Sequence, residues 1–332
     1  MARRSWLLWT VMCAAAPRLL VAARAVHEVF HVERAPGNWL HGVVHGHDEK
    51  LPLLLFITGG KGTPFVTFEP SLRPLAQHFV YATYSMRGVM SINNTRPPHG
   101  TVGHIADAVW MTEYLAHRFR RKVIVSGLSF GADLAMQVAA SVPRIVVRVI
   151  AISGFFDIPA NYALVKAHMR ARVPRPLMWL SELLGSDNVV GYILTLYLAG
   201  FYGLISYDCH AAYPCVPSTL VGPSDVLGSE LLYDVWFGLK TVFDMHACVR
   251  SYADADTVLV APGTVQVPIE FWVGQHDLMA NRRVLDAYLT RLVAPETRIV
   301  AFERSTHFVP LEEPAAFHAE MAHVAQACSA YS

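Results

Sequence analysis

Charged residues are scarce in this chain. They make up 16% of its 332 residues, whereas hydrophobic residues make up 53%. A chain of this composition has enough apolar surface to form a packed core, and no repeat or low-complexity tract is visible in it. The composition therefore argues against a disordered protein, and the length suits one large α/β domain with an insertion, or two domains.

Patterns that bind metals or cofactors are also lacking. The five cysteines do not follow the spacing of a zinc site. Five histidines lie between residues 27 and 47, and His45 and His47 would share one face of a strand, but no carboxylate pattern or third spaced ligand accompanies them. The glycine-rich segment Thr58–Pro64 lacks the spacing of a phosphate-binding loop. We expect no metal and no cofactor, and we interpret the histidines as partly exposed strand residues.

The first 25 residues have the pattern of a signal peptide. Arg3 and Arg4 form a basic start, residues 6–16 are apolar, and Ala23-Arg24-Ala25 resembles a cleavage site. Cleavage after Ala25 would leave 23 basic and 26 acidic residues, a net charge of −3 that gives no case for nucleic acid binding. We therefore expect a secreted or extracytoplasmic protein, with an uncleaved signal anchor or a disordered leader as alternatives.

Two further features depend on that secretory route. In an oxidising compartment, Cys209 and Cys215 are close enough in sequence to form a disulfide, although separate buried thiols are equally compatible with the sequence. Asn93 begins a glycosylation sequon, which has meaning only in a eukaryotic secretory pathway.

Alternating strand and helix patterns predict a mostly parallel sheet with helices on both faces. An edge hairpin is predicted over residues 26–44. The segments that follow it are strands at 51–57 and 78–84, a helix at 101–120, a strand at 123–125, a helix at 132–140 and a strand at 146–152. The strand pattern returns at 267–274, followed by a helix at 282–292, a strand at 298–302 and a helix at 314–327.

A long helical insertion separates the two parts of this pattern. Residues 154–246 are rich in Leu and aromatic residues and contain no clear strand, which predicts a helical cap between core segments 26–153 and 247–332. Val189–Ile205 is nearly all apolar, so a membrane span or a patch resting on a membrane are alternatives to a buried cap helix.

The segment Gly127-Leu128-Ser129-Phe130-Gly131 joins a predicted buried strand to a predicted helix. It matches the G-x-S-x-G nucleophile elbow, in which a strained turn exposes the serine hydroxyl. The two glycines let the strand and helix backbones approach each other closely. A chance glycine-rich turn is the alternative, and the strand before it and the helix after it favour the nucleophile.

A serine hydroxyl needs a base beside it and a carboxylate to orient that base. The chain supplies Ser129, Asp277 and His307 in that order, each just after a predicted strand, so the three would gather at one edge of the sheet. Asp157, after the preceding strand, competes with Asp277 for the acid role, and His307 has the alternative of a structural loop histidine.

These motifs resemble the α/β-hydrolase superfamily, and within it the proline iminopeptidase-like branch. The resemblance implies an α/β-hydrolase fold and backbone N–H donors to an oxyanion at Gly60 and Phe130. It covers most of the chain outside the leader and the cap. The matching segments are Thr58–Gly62, Arg87–Ser91, Gly127–Gly131, Val273–Asp277, Thr306–Phe308 and Glu312–Pro314.

The chain departs from the pattern of that branch at four positions. Thr58, Lys61, Ser85 and Met90 stand where His, Pro, Asp and Gly are usual. An aminopeptidase would also need cap carboxylates to hold a free amino terminus. The candidates are Glu182, Asp187, Asp208, Asp225, Glu230 and Asp234.

The sequence thus predicts a serine hydrolase that cleaves a peptide or an apolar ester through an acyl-enzyme. Contact between the cap and a membrane stays an open alternative. The alternatives are a secreted carboxylesterase or lipase-like enzyme, and a binding protein that keeps the hydrolase scaffold without activity.

Overall fold

The computed structural model describes residues 25–60, 65, 68–86, 100–185, 189–207 and 263–331. The predictions for the leader, Asn93, Arg87–Ser91, Cys209 and Cys215 lie outside the described residues.

Eight strands form a single sheet. Their order across it is β1-β2-β4-β3-β5-β6-β7-β8. The strands are β1 (Val26–Ala35), β2 (Asn38–Gly46), β3 (Leu53–Ile57), β4 (Val80–Tyr84), β5 (Val123–Leu128), β6 (Val146–Ile152), β7 (Ile269–Gly274) and β8 (Thr297–Phe302).

The sheet is parallel except at one edge. β1 and β2 form the predicted antiparallel hairpin, and β2 also pairs antiparallel with β4. All other neighbouring strands are parallel. The carboxyl ends of β5, β7 and β8 therefore meet at one edge of the sheet, as the sequence predicted.

Helices cover both faces of this sheet. The described helices are α1 (Glu69–Leu72), α2 (Gly100–Phe119), α3 (Phe130–Ser141), α4 (Ile158–Arg172), α5 (Arg175–Leu184), α6 (Val189–Phe201), α7 (Arg282–Leu289), α8 (Val309–Glu312) and α9 (Pro314–Ala327). Helices α2, α3 and α7 pack on one face, and α1 and α9 pack on the other. This arrangement confirms the predicted fold class.

The central strands alternate their side chains between two cores. Leu53, Leu55 and Ile57 of β3 enter the core under α2 and α3, whereas Leu54 and Phe56 enter the core under α9. All five are almost completely buried. Side chains on successive strand positions point to opposite faces, so a strand covered on both sides must be apolar throughout.

Three described helices, α4, α5 and α6, leave the sheet between β6 and β7. They share an apolar cluster of their own that includes Met169, Met178 and Leu198. In the described part of the chain no helix has both the length and the apolar character to cross a membrane. The helical cap over residues 154–246 stays a prediction, because residues 208–246 lie outside the described residues.

A buried glutamate joins three neighbouring strands. Glu270 of β7 accepts hydrogen bonds from Arg148 of β6, Arg298 of β8 and the indole N–H of Trp272, at 2.8, 3.1 and 3.0 Å. Its side chain is only 3% exposed. Arg148 and Arg298 also bind Glu296 and Glu320. The indole N–H of Trp272 is buried, so removing the Glu270 carboxylate would leave that N–H without its acceptor.

We expect Glu270→Ala to lower the free energy of unfolding by about 1–3 kcal/mol, because it leaves the buried indole N–H of Trp272 without its acceptor. Glu182→Ala is the matched control. It breaks an exposed pair with Arg170, and such pairs contribute only about 0–1 kcal/mol. Thermal melting of the two variants beside the wild type measures the difference. Equal melting temperatures for both variants would contradict a stabilising role for the Glu270 cluster.

Candidate active site

Ser129 occupies a strained turn between β5 and α3. Its backbone has φ 56° and ψ −124°, a left-handed conformation that costs a residue with a side chain about 1–3 kcal/mol. Its N–H donates to the carbonyl of Ile152 at 2.8 Å, which fixes the turn against β6. The hydroxyl does not cap α3.

The two glycines of the elbow have the steric role that the sequence predicted. A Cβ at Gly127 would collide with the backbone of Gly131. A Cβ at Gly131 would collide with the carbonyl oxygens of Ile57 and Thr58 in the neighbouring chain segment. The backbones of β3, β5 and α3 therefore come together behind Ser129 in a way that only glycine permits.

The imidazole of His307 lies between Ser129 and Asp277. Nε2 of His307 is 2.9 Å from the hydroxyl oxygen of Ser129, and Nδ1 is 2.9 Å from a carboxylate oxygen of Asp277. All three side chains are buried. Because an ionised carboxylate can only accept, Nδ1 carries the hydrogen and Nε2 is left to accept the serine O–H. The structure thus brings the three residues together in a continuous chain of hydrogen bonds.

The carboxylate of Asp277 is held on its other side by backbone groups. Its second oxygen accepts the N–H groups of Met279 and Ala280 at 2.8 and 2.9 Å. Asp157, its rival from the sequence, instead accepts the N–H of Ala160 at 3.0 Å and caps α4. Asp277, and not Asp157, is therefore the carboxylate that hydrogen-bonds to the imidazole.

The glycine-rich loop after β3 passes beside the serine. A Cβ placed on Gly59 would lie 2.9 Å from the carbonyl oxygen of Leu128 and 3.0 Å from Cβ of Ser129. Gly60, the next residue, has φ 72°. Phe130 is buried at the start of α3. Both residues predicted as oxyanion donors therefore belong to segments that adjoin Ser129.

Two glutamates fix the segment that leads into His307, and sequence reasoning gave them no role. Glu312 accepts the backbone N–H of Thr306 at 2.7 Å and the N–H of Tyr207 at 2.5 Å. Glu313 accepts the hydroxyl of Ser305 and the N–H of Arg304, both at 2.8 Å. The available signal was the acidic pair that follows Thr306-His307-Phe308 by a few residues.

Burial raises the pKa of Glu312, and the N–H groups of Tyr207 and Thr306 oppose this shift. The glutamate joins the histidine loop to Tyr207, which follows α6. Apolar contacts make the same connection, because Leu278, Met279 and Phe308 pack against the apolar cluster of α4–α6. The cluster of α4–α6 therefore touches the residues next to both Asp277 and His307.

The histidines of the edge hairpin pair with each other across the two strands. His27 faces His45 and His31 faces His41, and the Nδ1 atoms of His27 and His45 are 2.7 Å apart. Within the described residues, no group of three or more His, Cys, Asp or Glu side chains is arranged to hold a metal ion.

Known proteins share this architecture and part of this sequence. The probable aminopeptidase YbaC of Bacillus subtilis is 25% identical over 292 residues, which cover 83% of this chain and 89% of that protein. A 2-hydroxy-6-oxo-6-phenylhexa-2,4-dienoate hydrolase from a Rhodococcus species superposes with a TM-score of 0.62 at 17% identity, covering 91% of this chain and 98% of that one.

A proline iminopeptidase-related protein from Thermus thermophilus superposes with a TM-score of 0.58 at 16% identity, covering 92% of this chain and 98% of that one. The sequence model of the alpha/beta hydrolase family matches residues 43–320. This match spans most of the chain and includes Ser129, Asp277 and His307. The chain therefore belongs to the alpha/beta hydrolase family, and it is a hydrolase.

Proposed function

We propose that this protein is a serine hydrolase that cleaves a peptide or an apolar ester through an acyl-enzyme. Ser129 is the nucleophile, His307 the general base and Asp277 the carboxylate that orients it. The observation that carries the proposal is the hydrogen-bonded chain from Ser129 through His307 to Asp277, with both distances at 2.9 Å.

In the first step, the oxygen of Ser129 forms a bond to the substrate carbonyl carbon while its proton moves to Nε2 of His307. The carbonyl oxygen becomes an oxyanion. When this intermediate collapses, the bond to the leaving group breaks and the leaving group takes the proton from His307. Water then repeats the sequence on the acyl-enzyme, releasing the acid and restoring the serine.

The backbone N–H groups of Gly60 and Phe130 are proposed as the oxyanion donors. Phe130 begins α3, so an oxyanion beside it would also lie at the positive end of the helix dipole. The close passage of Gly59 beside Ser129 supports a similar position for the loop after β3.

The choice between peptide and ester depends on the cap. Of the six candidate carboxylates for holding an amino terminus, only Glu182 lies in the described residues, and Arg170 already binds it at 2.7 and 3.0 Å. Thr58 and Ser85 are buried at positions where the peptidase branch usually has His and Asp. These features favour an apolar ester, whereas the likeness to an aminopeptidase favours a peptide.

We expect Ser129→Ala to abolish labelling by a fluorophosphonate probe, because the probe reacts with an activated serine oxygen. Ser141→Ala, which removes an exposed hydroxyl from the far end of α3, is the matched control and should label like the wild type. Persistent labelling of Ser129→Ala would refute the assignment. A folded wild type that does not label would favour the binding-protein alternative.

A panel of prolyl- and alanyl-anilides set against p-nitrophenyl esters of increasing chain length tests the substrate class. If the apolar cap lines the site, we expect kcat/KM to rise with acyl chain length, by about tenfold for every two methylene groups buried. Selective turnover of the anilides would instead establish the peptidase.

Flotation with lipid vesicles, using the same preparation, tests the predicted membrane contact, and a protein that stays at the bottom of the gradient contradicts it.

We also propose that the protein is secreted after cleavage behind Ala25. Strand β1 begins at Val26, so this cleavage would leave every strand of the sheet intact. Expression of the full chain in a secreting host should give a protein in the medium whose intact mass corresponds to residues 26–332. Retention of residues 1–25 on the exported protein would contradict the cleavage site.

A further inference from the structure

Asp133 is a buried carboxylate that the proposed mechanism does not use. It lies in the first turn of α3, four residues after Ser129, and its side chain is completely buried. One carboxylate oxygen accepts the N–H of Phe156 at 2.9 Å, and the other accepts the N–H of Phe155 at 3.4 Å. No arginine or lysine among the described residues forms an ion pair with it.

Burying an ionised carboxylate without a positive partner destabilises the folded state. Burial raises the pKa of Asp133 to about 7, although both N–H groups and the nearby His307 act in the opposite direction. The neighbouring positions of α3 carry Ala132 and Leu134, which are fully buried. An apolar side chain at position 133 would avoid the desolvation penalty, but it would leave the N–H groups of Phe155 and Phe156 without this acceptor, so the role of the aspartate lies with that segment.

The segment that Asp133 holds is strained. Ser153 and Phe156 have φ angles of 48° and 53°, in a region that costs a residue with a side chain about 1–3 kcal/mol. Both residues lie between β6 and α4. A strained segment keeps one conformation only when fixed contacts offset the strain, and the two hydrogen bonds to Asp133 are such contacts.

In this segment, the ring of Phe155 lies beside His307 and the ring of Phe156 packs into the core. The ring of Phe155 lies 5.7 Å from the imidazole of His307, centroid to centroid. The ring of Phe156 stacks on Tyr288 at 5.0 Å and meets the edge of Phe271 at 5.3 Å. The two N–H groups bound by Asp133 therefore belong to the residues that set both ring positions.

We propose that Asp133 is a positioning residue, whose carboxyl group fixes residues 153–157 so that Phe155 holds the imidazole of His307 in line with Ser129. This inference rests on the proposed function, because it gives Asp133 a role through the general base. The other titratable groups that face Asp133 are His307 and Tyr288 of α7.

The first test is the kinetics of Asp133→Asn, which keeps a carbonyl acceptor and removes the charge. If the imidazole loses its alignment, we expect kcat to fall by about 10- to 100-fold, while KM for a p-nitrophenyl ester stays within about twofold of the wild type. Asp157→Asn is the matched control in the same segment. Asp157→Asn keeps the N-cap of α4, since Asn is as good an N-cap residue as Asp, and this variant should retain wild-type kcat.

The second test separates positioning from a structural role. Between about pH 4 and pH 7 the carboxyl of Asp133 is ionised in the unfolded chain and protonated in the folded one, so its contribution to stability falls as the pH rises. Asparagine does not titrate. The melting temperature of Asp133→Asn relative to wild type should therefore increase from pH 4 to pH 8, although the variant is less active. A difference in melting temperature that does not change with pH contradicts the buried charge.

The third test asks whether Asp133 acts through Phe155. Phe155→Leu should lower kcat to a similar extent, and the double variant should lose no more activity than either single one. Additive losses would overturn the proposed route through Phe155. Wild-type kcat in Phe155→Leu would overturn it as well, even if Asp133→Asn does not fold.

The outcomes also separate this inference from the function on which it rests. Full activity in a folded Asp133→Asn would overturn the positioning role and leave the loss of labelling in Ser129→Ala untouched. Hydrolysis and labelling that survive in Ser129→Ala would remove the proposed function, whereas the pH-dependent melting of Asp133→Asn needs no activity to be measured.

Discussion

The hydrogen bond between His307 and Ser129 joins residues that are 178 positions apart in the chain. Neither residue could hold this geometry alone, because each sits in a short segment beyond a strand. The parallel order of β5, β6, β7 and β8 supplies the constraint. Since parallel strands end at the same edge, the sheet brings together the serine after β5, the aspartate after β7 and the histidine after β8. The site therefore depends first on strand register and only then on the reactive side chains.

Much of this could be predicted because the patterns are local. The apolar run at 146–152 and the helix at 314–327 have the bounds predicted from the sequence, and the turn of the edge hairpin lies at Pro36 and Gly37. The elbow, acid and histidine segments were recognisable since each follows a strand-like run. Strand order and the approach of Gly131 to Ile57 depend on distant parts of the chain, and spacing alone does not give them.

The part of the site that was not predicted consists of acidic residues that accept backbone N–H groups. Spacing alone assigns no role to Asp133, Glu312 or Glu313, because their backbone partners appear only in the folded chain. They share one physical role, which is to accept N–H groups of segments that carry or touch His307. Unfavourable features gather here as well, since Ser129, Ser153 and Phe156 all have positive φ. The two apolar cores, one on each face of the sheet, offset this strain.

The contact between the cap cluster and Leu278, Met279 and Phe308 has a consequence for evolution. Helices α4–α6 are inserted between β6 and β7, so an insertion at this place is where specificity can change without altering the sheet. In this protein an exchanged cap would also have to reproduce the apolar side chains that meet those three residues and the backbone N–H that reaches Glu312. Chimeras that keep these contacts should accept new substrates, whereas chimeras that lose them should fold with His307 misaligned.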